Sequence, residues 1–191
     1  TVEEAASLLE PSKKNEGYYI DPVFSRQCDT MTSDVFEKED GSLAVWSVNF
    51  GSGFVGSYID MSDTSSDVDV CAVRSVLSEE EEIELRKPKT ITPLRSHYRS
   101  LSVSQIHSTP NMHIQKEDWG FYGHSMIKHY YNLATIKGKY ENMKCNVVVD
   151  KATGLMWHQS GSDYSMTWKK AKKWIKRLNS RLHTQIGVSP P

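Results

Sequence analysis

The chain has 191 residues, of which 38% are hydrophobic and 25% charged, a composition typical of one globular domain or two small ones. No run of about 18 apolar residues occurs, which excludes a membrane-spanning helix, and no signal peptide is visible. Residues 1–84 carry 19 acidic and 5 basic side chains, whereas residues 85–191 carry 18 basic and 5 acidic ones. Either the two halves are complementary parts of a neutral fold, or one of them is a charged segment that meets a partner.

The first predicted elements are a short helix and a small antiparallel sheet. Residues 2–9 place apolar side chains on one helical face, with Glu3 and Glu4 in the first turn, and Pro11 ends the helix. Strand-like residues 43–50 and 54–59 flank a glycine-containing turn, which predicts a hairpin. Residues 68–74 predict a third strand.

The remaining elements are concentrated near the end of the chain. Residues 78–144 are interpreted as a charged linker and a poorly patterned stretch, with one helix near residues 125–131. Strands at 147–149 and 155–157 form a second predicted hairpin, where Gly154 suits a turn with positive φ. Thr167 can cap a helix that runs to about Asn179. Because its apolar residues recur at helical spacing, we expect this helix to pack on a sheet rather than on a membrane or nucleic acid.

Two stretches of the chain resemble the Lcl C-terminal domain family, the lectin-like module of bacterial collagen-like adhesins. The family's opening strand, hairpin and first helix resemble residues 148–161, VVDKATGLMWHQSG, followed by Thr167-Trp168 and Leu178-Asn179. The family's second helix and closing strands resemble TVEEAASLL at residues 1–9, YIDPVF at 19–24, WSVNF at 46–50 and VCAVR at 70–74. The resemblance implies an α+β fold of short antiparallel strands with two helices, similar to C-type lectins.

The order of these stretches is reversed relative to the family, and the Asp-Trp-Arg-Leu-Pro-Thr signature that joins them there is absent. The tail at residues 185–191 can be interpreted as that signature translated out of frame. We therefore expect residues 1–77 to be the C-terminal half of one lectin-like domain and residues 145–191 the N-terminal half of a second copy. Residues 186–191 would be out of frame, and the fold would be incomplete or, as the alternative, permuted.

The resemblance implies a non-catalytic module that binds extracellular carbohydrate such as sulfated glycans, on a protein exported to the bacterial cell surface or periplasm. Cations on the last helix are the candidate glycan-binding residues: Lys169, Lys170, Lys172, Lys173, Lys176 and Arg177. Neighbouring repeats of the same protein are a second expected partner, whereas nucleic acid is not expected. Four tryptophans are predicted to be core rather than sugar platforms: Trp46, Trp157, Trp168 and Trp174.

Two other functions remain open. Similar domains accompany bacterial signalling kinases, which suggests a sensory or scaffolding module. A weaker alternative is an oxidase that resembles the formylglycine-generating enzymes, which depend on a reactive cysteine pair. Cys28, Cys71 and Cys145 are far apart and show no Cys-x-x-Cys spacing, so one disulfide with a free thiol and three separate thiols both stay possible.

Other reactive residue types do not form recognisable motifs. Asp63, Asp67 and Asp69 lack the spacing of a calcium loop, which favours a solvated turn. His124 and His129 are five residues apart and would not share a helix face as two metal ligands do. Phosphate-binding loops and nucleophile motifs do not occur in the sequence. The sequence therefore predicts no catalytic residue, no metal site and no cofactor.

Overall fold

The computed structural model describes residues 1–25, 29–61, 69–75, 91–137 and 144–183, and shows a mixed α+β fold with mostly antiparallel strands. The helices of these residues are α1 (Val2–Ala6), α2 (Val103–Ile106) and α3 (Trp168–His183). The strands are β1 (Asp29–Glu37), β2 (Leu43–Asn49), β3 (Phe54–Asp60), β4 (Val73–Ser75), β5 (Met112–Glu117), β6 (Gly120–Ser125), β7 (Tyr131–Lys137), β8 (Lys144–Asp150) and β9 (Leu155–His158). The α+β class and the antiparallel strands are thereby confirmed.

The larger sheet has five antiparallel strands in the order β1-β2-β3-β6-β5. The predicted hairpin is confirmed, since β2 pairs with β3 in a register that places Val48 opposite Val55. Strand β2 is buried along most of its length because both of its faces are covered. Trp46 contributes to the main core, whereas Val45 belongs to a second apolar cluster that includes Ala171 of α3. Helix α3 therefore packs on the side of β2 opposite the main core.

The smaller sheet has four antiparallel strands in the order β4-β9-β8-β7. The second predicted hairpin is confirmed: Asp150 of β8 lies opposite Leu155 of β9, and Gly154 between them has a φ of 69°. Strand β4 then pairs with β9, placing Val73 opposite Trp157. A strand from the acidic first half of the chain thus completes a sheet built from the second half.

The main hydrophobic core joins the beginning of the chain to its end. Helix α1 is capped by Thr1 and Glu4, whose side chains and backbone amides bond each other reciprocally. Its apolar face, with Val2, packs in the same cluster as Trp46 of β2 and Trp157 of β9. Helix α1 and strands β2, β8 and β9 therefore contribute to one core in the part of the chain that the structure describes.

The predicted helix near residues 125–131 is wrong. Ser125 ends β6 and Tyr131 begins β7, and the backbone between them turns instead of coiling. The Met126 amide donates to the Asn111 carbonyl oxygen, and the Ile127 amide donates to Ser125 Oγ. These bonds compete with the i to i−4 bonds of a helix, as serine side chains near turns commonly do.

The predicted bounds of three other segments differ from those in the structure. Helix α1 is confirmed, but it ends at Ala6, before Pro11. The predicted third strand is regular only over Val73–Ser75, and Asp69 forms an isolated bridge to Thr30. Within the stretch 78–144, residues 91–137 contain α2, β5, β6 and β7, while residues 78–90 and 138–143 lie outside the described residues.

Candidate binding site at helix α3

The amphipathic character predicted for α3 is confirmed. The helix begins at Trp168, directly after Thr167, and the Ala171 amide donates to the Thr167 carbonyl oxygen at 2.9 Å. Its apolar side chains pack against those of β1, β2 and neighbouring loops: Trp168, Ala171, Trp174 and Ile175 contact a cluster of Met31, Val45, Val70 and Met166. Trp168 Nε1 also donates to the Thr32 carbonyl oxygen at 3.3 Å. These contacts fix which face of the helix meets solvent.

That solvent face is strongly basic. All six of the predicted glycan-binding residues are exposed: Lys169, Lys170, Lys172, Lys173, Lys176 and Arg177. The sequence of α3 contains no aspartate or glutamate. The structure therefore brings the six cations together on one helix, and we call this surface the basic face.

The basic face carries unfavourable electrostatics on its own. Lys169 and Lys173, like Lys172 and Lys176, are four residues apart, and such like-charged pairs each destabilise a helix by about 0.2–0.5 kcal/mol. Lys169 and Lys170 also lie in the first turn, where the helix dipole disfavours positive charge. A bound polyanion would remove both penalties, so the helix is suited to anionic ligands.

His158 adds little charge beside the basic face at neutral pH. His158 of β9 lies against Trp174 of α3, with ring centroids 5.7 Å apart. Burial lowers the pKa of His158, although Asp163 acts in the opposite direction. Since the ordinary pKa of histidine is about 6.5, the His158 ring is mostly neutral at pH 7. Among the α3 side chains that the structure describes, the positive charge therefore comes from the five lysines and Arg177.

A cleft of about 270 Å³ adjoins the basic face between α1, β1, β9 and α3. Lys172 lines it, and its ammonium group lies 3.5 Å from the ring centroid of Trp168. Thr30 and Trp157 also line the cleft, being 3% and 1% exposed. Among the described residues, neither Thr30 Oγ1 nor Trp157 Nε1 has a hydrogen-bond partner. Because unpartnered buried polar atoms are costly, this pair marks a place where a polar group of a ligand or a water could bind.

The tryptophans divide into two groups. Trp46 and Trp157 are fully buried in the main core, as predicted. Trp168 and Trp174 are half-buried, and each turns part of its ring into the second cluster. The rings of α3 therefore serve mainly to dock the helix, and the Trp168 ring is the one that meets a lysine of the basic face.

The two cysteines that the structure describes, Cys71 and Cys145, do not show the features of a reactive site. Cys71 and Cys145 are buried in different clusters, whereas Cys28 lies outside the described residues. Burial raises the pKa of the Cys145 thiol, which disfavours the thiolate needed for nucleophilic or redox chemistry. Cys71 Sγ donates to the His158 carbonyl oxygen at 3.3 Å.

Of the acidic and histidine candidates, the structure describes Asp69, His124 and His129, and these are not grouped as metal ligands. Asp69 Oδ1 accepts a hydrogen bond from Ser165, while Asp63 and Asp67 lie outside the described residues. His129 is held between Asp150 and Ser7, and His124 lies in another strand. Within the described ranges, no three histidine, cysteine, aspartate or glutamate side chains are grouped as metal ligands. None of the described helices is both long and apolar enough to cross a membrane.

Sequence reasoning missed the cleft and its two unpartnered groups. Thr30 of β1 and Trp157 of β9 are far apart in the chain and line the same cleft only in the folded structure. The local sequence around Thr30 shows no motif that would reveal this.

Comparison of the chain with protein-family models, curated proteins and solved structures found no match.

Proposed function

We propose that this protein is a non-catalytic binding module that recognises anionic carbohydrate, such as sulfated glycans, through the basic face of α3. The observation that carries the proposal is the exposure of six cations on a helix that has no acidic side chain. The module would act outside the cytoplasm, at a bacterial cell surface or in the periplasm, and its fold would be related to C-type lectins.

Sulfate groups suit this surface for two reasons. Charge-assisted hydrogen bonds from lysine and arginine to anionic oxygens are shorter and stronger than neutral ones. Lysines three and four residues apart on one helix can also contact successive anionic groups of an extended chain. The cleft beside Lys172 would then receive a polar substituent of the same ligand.

The arrangement of the aromatic rings favours a glycan over a single-stranded nucleic acid. Single-stranded nucleic acids are held by aromatic side chains on which successive bases stack. The tryptophans of α3 are half-buried against the second cluster and offer little free ring surface. The basic face supplies charge without base platforms, which matches the needs of a sulfated chain.

Charge reversal on the basic face is expected to abolish most binding to heparin. The variant Lys169→Glu/Lys173→Glu/Lys176→Glu changes exposed side chains only. With a cost of about 1 kcal/mol at each position, its Kd should rise by roughly a hundred-fold or more at low salt. Salt-gradient elution from heparin and titration calorimetry measure the change. The salt dependence of binding should weaken as well, because fewer cations then pair with sulfate groups and displace their counterions.

A matched control separates a local site from net charge. The variant Lys13→Glu/Lys116→Glu/Lys128→Glu makes the same change in charge at exposed lysines outside α3. It should bind heparin nearly as well as the parent protein. Equal weakening in the two triple variants, or elution of the parent at background salt, would contradict the proposal. Equal binding of desulfated heparin or of DNA would argue against recognition of sulfated glycan.

A further inference from the structure

Two histidines face each other across neighbouring strands of the larger sheet. His113 of β5 lies directly opposite His124 of β6, and their rings are stacked with centroids 4.9 Å apart and planes 12° from parallel. His113 is exposed and His124 is half-buried, so solvent reaches the pair. The pair lies on neither α3 nor the cleft beside it, and it is separate from the proposed glycan site.

The hydrogen bond of His124 leaves one of its ring nitrogens available. His124 Nδ1 lies 3.2 Å from the Ser125 carbonyl oxygen. A carbonyl oxygen can only accept, so Nδ1 carries the proton and Nε2 keeps its lone pair. Metal-binding histidines are oriented in the same way, by donating their second nitrogen to a carbonyl or carboxylate.

Another histidine shows what an unavailable ring looks like. Both ring nitrogens of His129 lie 2.7 Å from acceptors, Asp150 Oδ2 on one side and the Ser7 carbonyl oxygen on the other. The His129 ring is therefore held by structural partners on both sides, which contrasts with the solvent-facing pair.

We propose that His113 and His124 form a two-histidine site for a divalent transition-metal ion on the exposed face of the larger sheet. Metal–nitrogen bonds of about 2.0–2.1 Å require the two ligating nitrogens to lie roughly 3–4 Å apart. In the stacked arrangement the two ring planes are nearly parallel, so at least one ring must rotate before both lone pairs can meet one ion. The exposed His113 side chain has room for that rotation. Imidazole ligands select copper, nickel and zinc over magnesium and calcium, and copper should bind most tightly.

Binding of Cu²⁺ and Ni²⁺ to the whole chain tests this site. Calorimetry should show one tight equivalent of Cu²⁺ and none of Mg²⁺. His113→Ala and His124→Ala should each weaken Cu²⁺ binding by at least about ten-fold, since a site of two ligands loses half of them. His97→Ala, at an exposed histidine outside the pair, is the control and should leave the affinity unchanged.

Proton nuclear magnetic resonance tests whether His113 and His124 bind the metal ion without any substitution. Substoichiometric Ni²⁺ or Cu²⁺ should broaden the imidazole proton signals of His113 and His124 before those of His97. Broadening that begins at His97, or an unchanged Cu²⁺ affinity in His113→Ala, would overturn the proposal. The His113 substitution removes an exposed ring, so the test does not depend on whether the half-buried position 124 tolerates alanine.

Discussion

Replacing Asp34 with asparagine is expected to lower the free energy of unfolding by about 1.5–3 kcal/mol, the usual contribution of hydrogen bonds to a charged group. Asp34 is 0% exposed, and its carboxylate accepts hydrogen bonds from Arg95 Nη1 and Nη2, each at 2.8 Å. The amides of Val2 and Arg99 donate to the same group at 2.6 and 2.8 Å. Asparagine would leave the Arg95 guanidinium with only the longer ion pair to Glu3, at 3.7 Å, and would turn an amide donor toward groups that themselves donate.

The same carboxylate makes stability depend on acid pH. Burial by itself raises the pKa of Asp34, but the hydrogen bonds from Arg95, Val2 and Arg99 outweigh it and hold the pKa below its ordinary value. A lowered pKa in the folded state contributes stability that is complete above the unfolded value of about 3.9. That contribution is lost as the pH falls through the lower folded value.

Urea unfolding at pH 7 and at a series of acid pH values measures both effects. Asp34→Asn should remove part of the acid dependence as well as lower the midpoint. Asp40→Asn, at an exposed turn carboxylate, is the control and should change stability by less than about 0.5 kcal/mol. Similar midpoints for the two variants would show that the Asp34–Arg95 pair does not hold α1 and β1 together.

Elements with a strong local pattern could be predicted from the sequence. The hairpin of β2 and β3 and that of β8 and β9 combine apolar runs with glycine at a positive φ, Gly53 at 76° and Gly154 at 69°. Helix α3 repeats apolar residues at helical spacing, so its exposed cations could be placed before its neighbours were known. In these segments the local signal and the final packing agree.

Strands with polar sequences could not be recognised in this way. β5 and β7 are edge strands, and much of their surface is exposed, so they lack the apolar alternation of a half-buried strand. The helix predicted near residues 125–131 does not form because contacts with distant residues hold this segment. His129 is drawn between Asp150 and Ser7, and Tyr131 packs on Phe24 with ring centroids 5.4 Å apart. These distant contacts determine the backbone conformation of residues 125–131.

The candidate sites also differ in whether a local sequence pattern is enough to predict them. The basic face lies within one helix and was predictable from residue spacing alone. The cleft depends on β1 and β9, which are distant in the chain, lying on either side of it, and the histidine pair depends on the register of β5 against β6. A one-residue change in that register would move one of the two rings to the opposite face of the sheet.

Replacing Trp157 with alanine is expected to lower the free energy of unfolding by about 3–5 kcal/mol. Trp157 is 1% exposed and packs in the core that unites α1, β2 and β9. Trp157→Phe should cost clearly less, because phenylalanine keeps most of the ring volume and removes an indole N–H that has no partner among the described residues. The contrast between the two substitutions separates loss of packing from loss of hydrogen bonding.

Denaturant unfolding monitored by far-ultraviolet circular dichroism and by tryptophan fluorescence tests this prediction. Because the beginning and end of the chain contribute to one core, both probes should report a single transition that Trp157→Ala shifts as a whole. Trp119→Ala, at a side chain that is 74% exposed, should leave the midpoint nearly unchanged. Separate transitions for the two probes in the parent protein would mean that the acidic and basic halves unfold independently, and that the pairing of β4 with β9 does not couple them.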